Sequence, residues 1–308
     1  MTAQAGSETS ISNAGMGGTG VVAPANGGMG PSAGTTSAGA SGSDGIPGGS
    51  GGSAGSGGSA GSGGNAGADA TVAPCVTSQN ELCDDFESGQ IDPTKWTTPA
   101  PSKTASLVVD QSRAHSGKYA VHIKVAPGSQ NVAQLVEKVT FPAKNNSFYA
   151  RMFAYFAPDL PAQPGGDFHM GFLFGAGKNS HGDVTAGMGL NGGAKQYLSY
   201  SIFFGSPSFE FGPWSKTTVV PNAWLCIELF EDGSNPDTEA RRVWLNDTEL
   251  TDLMTDSAKA AGGAHPNHQP PQFDQLKFGI WEYHPTPTLS EMWMDDVRVS
   301  TMHIGCLN

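Results

Sequence analysis

Two acidic segments near opposite ends of the chain are suited to bind a cation. Residues 83–89 read Cys-Asp-Asp-Phe-Glu-Ser-Gly, and residues 293–299 read Trp-Met-Asp-Asp-Val-Arg-Val. Asp and Glu are poor strand formers, so an acidic pair joined to an apolar, strand-forming run suggests a role such as oxygen coordination of a metal. Because the first and last strands of a β-domain often pair, we expect the two segments to meet.

A second group of residues places polar and aromatic side chains at alternate positions of apolar segments. Its members are Tyr149, Arg151, Tyr155, His169, Tyr197, Lys277, Trp281 and Tyr283. They are too polar for a core and too aromatic for an ordinary solvated surface. If the inner sheet curves, they line one concave groove, in which aromatic faces stack on sugars while Arg, Lys and His bind hydroxyls or carboxylates. The alternative is a half-exposed sheet under a loop, where Tyr and Trp only cover the core.

The elements that must position these residues are strands, because apolar residues alternate with a period of two. The segments are 148–156, 167–174, 196–204, 224–230 and 275–283. In the second segment, one face would carry Phe168, Met170, Phe172 and Phe174, and the other Asp167, His169 and Gly171. No long helical periodicity competes, so the sequence predicts an all-β antiparallel sandwich.

The composition changes sharply near Pro74. Residues 1–74 contain no aromatic residue, Lys or Arg, and a glycine-rich six-residue repeat runs through 51–68. Such a segment cannot bury enough apolar surface to offset its ordering entropy, so residues 1–74 are predicted to be a disordered Gly/Ser/Ala-rich linker. All the aromatic residues and cysteines lie in 75–308, which we expect to form one domain.

The four cysteines allow three disulfide pairings. No two of these cysteines have the Cys-x-x-Cys spacing of a metal-binding knuckle. We expect two structural disulfides. The pairing that we favour among the three is Cys75 with Cys83 and Cys226 with Cys306.

Charge and hydropathy exclude several kinds of partner. The net charge of −12, without a Lys/Arg block, argues against nucleic acid and anionic membranes. No apolar run approaches the ~18 residues of a transmembrane helix, and no signal peptide is visible. A long Gly/Ser tether before a cysteine-paired β-domain is nevertheless typical of exported proteins. We therefore expect an extracellular or surface-tethered monomer, with a cytosolic location as the alternative.

Several short motifs resemble the concanavalin A-like lectin/glucanase superfamily. They lie at residues 84–89, 115–121, 224–228, 243–247, 278–279 and 294–300. Within that superfamily the chain looks most like the cellulose-induced jelly-roll proteins of cellulolytic fungi, their bacterial relatives and the jelly-roll polysaccharide lyases. The resemblance implies a jelly roll with a structural Ca²⁺ that ties the first strand to the last. Carried over, its ligands are Glu87, Ser116 and Asp295, with Asp296 in reserve, and hard oxygen ligands agree with calcium.

The motifs of other enzyme classes are missing. There is no Gly-x-Ser-x-Gly, His-Glu-x-x-His or phosphate loop. Glu228 and Glu231 are three residues apart and so fall on opposite faces of a strand, where they cannot flank one glycosidic bond.

The resemblance to jelly-roll lyases suggests β-elimination on a uronic-acid polysaccharide. It implies His169 as base, Tyr283 or Tyr197 as acid, and Arg151 and Lys277 as carboxylate clamps, with Gln134 a further neutralising group. The chain departs from the lyase pattern at Asp167, which cannot neutralise a carboxylate, and at Trp281, which replaces a catalytic Tyr.

Two alternatives use the same fold. A non-catalytic carbohydrate-binding module would use Trp281, Tyr149 and Tyr155 as stacking platforms. A structural or adhesive surface domain would have no sugar site.

Removing residues 1–74 should leave the domain folded, because that segment has no apolar surface with which to dock. We expect the truncated protein to unfold in one cooperative transition at the melting temperature of the full chain. Loss of the cooperative transition in calorimetry would contradict the linker interpretation.

Overall fold

The computed structural model describes the greater part of the predicted domain. The described residues are 75, 81–128, 131–160, 168–180, 182–192, 195–205, 208–235, 238–254 and 269–306. The chain divides into two units, Met1–Ala66 and Gly67–Asn308. The predicted linker and Asp167 lie outside the described residues.

Sixteen strands and one 3-10 turn, Lys144–Asn146, make up the regular structure of these residues. The strands are β1 (Leu82–Asp84), β2 (Trp96–Thr97), β3 (Ala105–Asp110), β4 (Ala120–Val125), β5 (Val132–Glu137), β6 (Ser147–Phe156), β7 (Phe168–Asn179), β8 (Gly182–Gly192), β9 (Gln196–Gly205), β10 (Ser208–Phe211), β11 (Trp214–Thr218), β12 (Trp224–Asn235), β13 (Thr238–Leu245), β14 (Thr248–Glu249), β15 (Gln272–Glu282) and β16 (Ser290–Ser300).

The strands form two antiparallel sheets that stack as a sandwich. The first, called the β6 sheet, has the order β14-β13-β12-β6-β16-β4-β3, and β1 also pairs with β16. The second, called the β7 sheet, has the order β10-β9-β8-β7-β15-β5-β2, and β11 also pairs with β9. The predicted all-β sandwich is confirmed.

Alternate residues from both sheets fill the space between them. Strand β6 contributes Phe148, Ala150, Met152, Ala154 and Phe156, and strand β15 contributes Leu276, Phe278 and Ile280. Each large apolar side chain buried in this way stabilises the fold by ~1.5–3 kcal/mol relative to exposure. The same alternation decides which residues are left for the two outer faces.

A bulge in β7 changes the predicted alternation of that strand. The register against β8 shifts between Gly171 and Leu173, so that Phe172 and Leu173 both enter the core. Phe174 therefore lies on the outer face with His169 and Gly171, where the sequence pattern placed it in the core. An extra residue in a strand reverses the facing of everything beyond it, and the sequence carried no signal for that insertion.

Both ends of the described domain are attached to the β6 sheet. Strand β1 pairs with β16, which confirms that the first and last strands meet. Both disulfides have the expected pairing, Cys75–Cys83 and Cys226–Cys306. Among the described residues, no helix is long and apolar enough to cross a membrane.

The core contains one charged cluster. Glu231, Glu239 and Arg241 of β12 and β13 are fully buried, facing Tyr200 of β9. The guanidinium carbon of Arg241 lies 3.6 Å from the centre of the Tyr200 ring, and its Nε donates to the Leu253 carbonyl at 2.7 Å. Burial, and then the Glu239 carboxylate, raise the pKa of Glu231 well above its ordinary value. One arginine balances one carboxylate, so the second retains its proton.

This retained proton should make stability fall as pH rises. A glutamate in the unfolded chain titrates near about pH 4.3, whereas buried Glu231 stays protonated to higher pH. Between these two pKa values the folded state holds the extra proton, so the free energy of unfolding decreases by about 1.4 kcal/mol per pH unit. Glu231→Gln should make this part of the profile less steep and raise the melting temperature at pH 8, while the raised pKa of Asp295 keeps part of the slope.

Glu228→Gln is the matched control, because it changes the same residue type on the opposite face of the same strand. It should keep the pH slope of the wild type. A wild-type free energy of unfolding that is constant between pH 5 and pH 8, measured by denaturant titration, would contradict the buried proton.

Candidate functional site

Four polar side chains form a row across the outer face of the β7 sheet. Tyr197 of β9 lies opposite Asn191 of β8, which lies opposite His169 of β7. Next to His169, the Tyr283 N–H donates to the His169 carbonyl at 3.1 Å. Side chains at paired positions of neighbouring strands lie within reach of one another. We call Tyr197, Asn191, His169 and Tyr283 the polar row.

Beside the polar row the face of the sheet lacks side chains. Gly171 of β7 and Gly187 and Gly189 of β8 form what we call the glycine strip. A Cβ at Gly171 would lie 1.7 Å from the Phe174 ring, and one at Gly187 would lie 2.0 Å from the Leu173 carbonyl oxygen. At Gly187 the clash is with backbone, so only glycine fits, whereas at Gly171 a side chain would have to displace the Phe174 ring.

Aromatic rings from distant strands meet above the glycine strip. The rings of Phe203 on β9 and Trp281 on β15 are 4.8 Å apart and meet edge to face; we call this pair the aromatic bridge. Strands β8 and β7 lie between them, so in a flat sheet their backbones would be about 14 Å apart. The two side chains must therefore lean toward each other across β8 and β7 to make this contact. The depression that both rings line has a volume of about 260 Å³, part of it open to solvent.

Among the described residues that line this depression, His169 is the only one with an imidazole. Its ring lies 6.0 Å from the Tyr283 ring, nearly parallel to it, and 5.0 Å from the His284 ring. The indole of Trp214 approaches from the other side at 6.3 Å, edge on. An imidazole beside a phenol can take a proton from a bound molecule on one side and supply one on the other.

Lys277 and Gln134 share this face but lie outside the depression. Lys277 contributes to a second depression of about 400 Å³ with Asp183, Asp274 and Gln275. Burial lowers the pKa of Lys277, and Asp274 partly opposes this effect. Gln134 pairs with Gly279 on the neighbouring β5–β15 ladder. His169 and Lys277 therefore do not act on the same small group.

Three predicted groove residues belong to the other sheet. Tyr149, Arg151 and Tyr155 are on β6, and because the core separates the sheets they face away from the polar row. The structure corrects the single groove that the sequence predicted. Period-two alternation shows that these residues leave the core, but not which sheet their strand joins.

The contacts of these three residues are structural. The Arg151 guanidinium donates to the carbonyls of Asp296 at 3.1 Å and Gly305 at 3.2 Å. Tyr149 stacks on Phe230 with ring centres 4.4 Å apart, and the Tyr155 hydroxyl donates to Asn222. They hold connecting segments against the sheet.

The predicted cation ligands gather around one loop on the β6 sheet. The Asp295 carboxylate accepts hydrogen bonds from the His115 and Ser116 N–H groups at 2.8 and 3.2 Å. The Asp296 carboxylate accepts from the Ser116 hydroxyl at 2.8 Å and lies 2.6 Å from His115 Nδ1. Glu87 accepts from the N–H groups of residues 118 and 119 in the same loop, at 2.7 and 2.8 Å.

These donors fit a hard cation in part. Burial, and then the neighbouring Asp296 carboxylate, raise the pKa of Asp295 to about 8. The carboxylates of Asp295 and Asp296 therefore lack enough positive charge nearby to balance them. Asp295, Asp296 and the Ser116 hydroxyl are the oxygen ligands that calcium prefers. In the part of the chain that the structure describes, however, no three His, Cys, Asp or Glu side chains converge closely enough to hold a metal ion. A cation here would need backbone carbonyls, and calcium stays a prediction.

Sequence reasoning missed several residues of the depression, among them Asn191, Ser199 and Phe203. Asn191 ends a strand in which Val184, Ala186, Met188 and Leu190 face the core. That alternation was the available signal. Gly187 and Gly189 lie between these apolar residues, and because glycine is uncommon in strands they concealed the alternation.

Comparisons with known proteins agree with this fold. Residues 85–302 match a family model described as "Polysacc_lyase-like: Cip1-like, core domain". The structure of "Cellulose induced protein, Cip1" is similar with a TM-score of 0.53 and 20% identity, over 73% of this chain and 99% of that one. A search of curated proteins gave no match.

Two solved lyase structures also align with this chain. An endo-beta-1,4-glucuronan lyase from the fungus Trichoderma reesei aligns at 12% identity over 70% of this chain and 94% of that one, with a TM-score of 0.49. Alginate lyase vAL-1 from a Chlorella virus aligns at 12% identity over 68% and 93%, with a TM-score of 0.46. The family match spans more than half of the chain, and it confirms the resemblance seen in the motifs. The chain belongs to the Cip1-like family of polysaccharide lyase-like proteins.

Proposed function

We propose that this protein binds an acidic polysaccharide across the concave face of the β7 sheet and cleaves it by β-elimination at the polar row. The observation that carries the proposal is the position of His169 between Asn191 and Tyr283, beside the glycine strip. A sugar ring bound beside the aromatic bridge would have an imidazole, an amide and a phenol along one edge. Membership of a polysaccharide lyase-like family supports the choice of ligand.

Each step of the reaction can be assigned to one side chain. The His169 imidazole removes the C5 proton of a uronic acid unit, and the electron pair forms the C4–C5 double bond. The bond from C4 to the glycosidic oxygen breaks, and that oxygen takes the proton of the Tyr283 hydroxyl. Proton transfer from His169 back to Tyr283 through solvent restores both groups.

The uronate carboxylate becomes more negative when the C5 proton leaves, so it needs a hydrogen-bond donor. The Asn191 amide is one strand away from His169 and can supply that donor. Arg151 cannot bind this carboxylate, because it lies on the other sheet. Lys277 would bind the carboxylate of another sugar unit, in the second depression.

A carbohydrate-binding module is the second candidate function. It is favoured by the lining of the depression, whose described residues include five aromatic or imidazole rings and neither Lys nor Arg. Such a surface suits stacking better than stabilisation of developing negative charge.

The two disulfides support export of the protein, because such bonds persist in oxidising compartments. We therefore propose an extracellular or surface-tethered location, where polysaccharides are accessible. The monomeric state stays a prediction.

His169→Ala should lower the rate of product formation by ~10²–10⁴-fold, because a positioned base is lost. The substrate is the uronic-acid polymer that the wild type cleaves. Affinity for the polymer should be nearly unchanged. The rate is followed by the ultraviolet absorbance of the unsaturated product over a panel of such polymers. Tyr283→Phe and Tyr197→Phe form a matched pair, and we expect only the first to abolish turnover.

His303→Ala is the control for the loss of an imidazole, since His303 lies against Trp244 on the β6 sheet. Polymer binding by the wild type without any unsaturated product would reject the lyase and leave the binding module. Absence of binding to every polymer would reject both candidates.

We also propose a structural calcium ion at Asp295, Asp296 and Ser116, where it would neutralise the two adjacent carboxylates. A ligand at a hundred times its Kd adds about 2.7 kcal/mol to stability, and in a domain of this size that corresponds to a melting temperature change of roughly 5–10 °C. A chelator should therefore lower the melting temperature of the wild type, and excess Ca²⁺ should restore it. Asp295→Asn should abolish the response.

Asp110→Asn is the matched control, because Asp110 pairs with His122 outside this loop. It should keep the full chelator response. Identical thermal melts of the wild type with and without chelator would rule out the ion.

A further inference from the structure

Trp214 is unusually exposed for a tryptophan. Its side chain is 45% exposed, and in the described part of the chain it is the only aromatic residue among the large apolar side chains left open to solvent. By contrast, Trp96 and Trp293 are 2% and 6% exposed. An indole buries 150–250 Å² when it is covered, so leaving one open forgoes considerable stabilisation. Tryptophan is enriched at binding interfaces, because its indole offers a large apolar face together with one polar N–H group.

The position of Trp214 places it at the polar row. It begins β11 and lies opposite Ser199 of β9. Strands β9 and β8 separate β11 from β7, a distance of about 14 Å in a flat sheet. The indole nevertheless lies 6.3 Å from the His169 imidazole, nearly perpendicular to it at 84°. The indole of Trp214 therefore extends over β9 and β8 toward the polar row.

Trp281, which the sequence suggested as the stacking platform, is already engaged. Its ring contacts Phe203 at 4.8 Å and Phe174 at 5.6 Å. It forms one wall of the depression, and these two neighbours cover part of its ring. Trp214 has open surface and lies on the opposite side of His169 from Tyr283.

We propose that Trp214 is a sugar-stacking residue that binds the pyranose unit next to the one at His169. The proposal rests on the proposed function, because it assumes a polysaccharide at the polar row. The indole would contact the C–H face of the sugar, and its edge-on contact with His169 would set the register of the chain. Such a platform favours pyranoses whose hydroxyl groups are equatorial, since these leave the ring face apolar.

Binding is measured by calorimetry with the full chain, using polyglucuronate and alginate oligosaccharides as probes. All proteins carry Tyr283→Phe, so that cleavage does not consume the probe. Trp214→Ala should raise the Kd about tenfold, the factor that corresponds to roughly 1.4 kcal/mol. Trp214→Phe should recover part of the affinity, and the melting temperature should change little. Val220→Ala is the matched control, because Val220 is 64% exposed just beyond the same edge strand and should have no effect.

Iodide quenching of tryptophan fluorescence gives a second readout that a merely structural role would not change. The probe that binds should protect an exposed indole in the parent protein, and this protection should vanish in Trp214→Phe. Equal affinity of Trp214→Ala and the parent would overturn the proposal, as would unchanged protection in Trp214→Phe. Binding weakened by Trp214→Ala would support Trp214 as a stacking residue. If His169→Ala in the wild-type background then kept full turnover, the role of His169 as the base would be rejected while the stacking proposal stood. A parent protein that binds neither probe would overturn the stacking proposal and the polysaccharide function together.

Discussion

The concave face depends on the absence of side chains at Gly171, Gly187 and Gly189. A Cβ at Gly187 would lie 2.0 Å from a backbone oxygen of β7, so these neighbouring strands could not keep their present contact with any other residue there. The Phe174 ring lies over Gly171, and the rings of Phe203 and Trp281 lean across the two strands of the strip and meet. The depression, its aromatic walls and the approach of the polar row to open space all follow from this one steric constraint.

The two faces of the sandwich use their charged groups differently. On the β6 sheet, Arg151 binds backbone carbonyls, while the Glu228 carboxylate accepts the N–H groups of Ile304 and Gly305, both at 2.8 Å. These groups hold the C-terminal segment against the sheet. In the described lining of the first depression on the β7 sheet, the polar groups are hydroxyls, an amide and an imidazole. A ligand there meets hydrogen-bond donors and aromatic rings, with the cationic side chain of Lys277 farther along the face.

Much of this architecture could be predicted from the sequence, and the failures have identifiable physical causes. Alternation gave the strands β6, β7, β9, β12 and β15, because one face of each must be apolar. It did not assign β6 to its sheet, since pairing partners are decided by long-range packing that leaves no local pattern. It also misplaced Phe174, because the bulge at Gly171 reverses the facing of the residues beyond it. Strand β8 was missed because Gly187 and Gly189, residues that are uncommon in strands, stand at two of its outward positions. The residues of the candidate site therefore came partly from the sequence, as with His169 and Tyr283, and partly from the structure, as with Asn191 and Trp214.

Both ends of the described domain are attached to the same sheet, and this has a mechanical consequence. The N-terminal side is held by the Cys75–Cys83 disulfide on β1, and the C-terminal side by the Cys226–Cys306 disulfide to β12. A pulling force applied through the two ends would pass through β1, β16 and β12, and all three strands belong to the β6 sheet. The second disulfide also bypasses residues 227–305 between its cysteines, which include β15. The β7 sheet would then bear little of the load, so tension on the two ends would leave the polar row and the depression undisturbed.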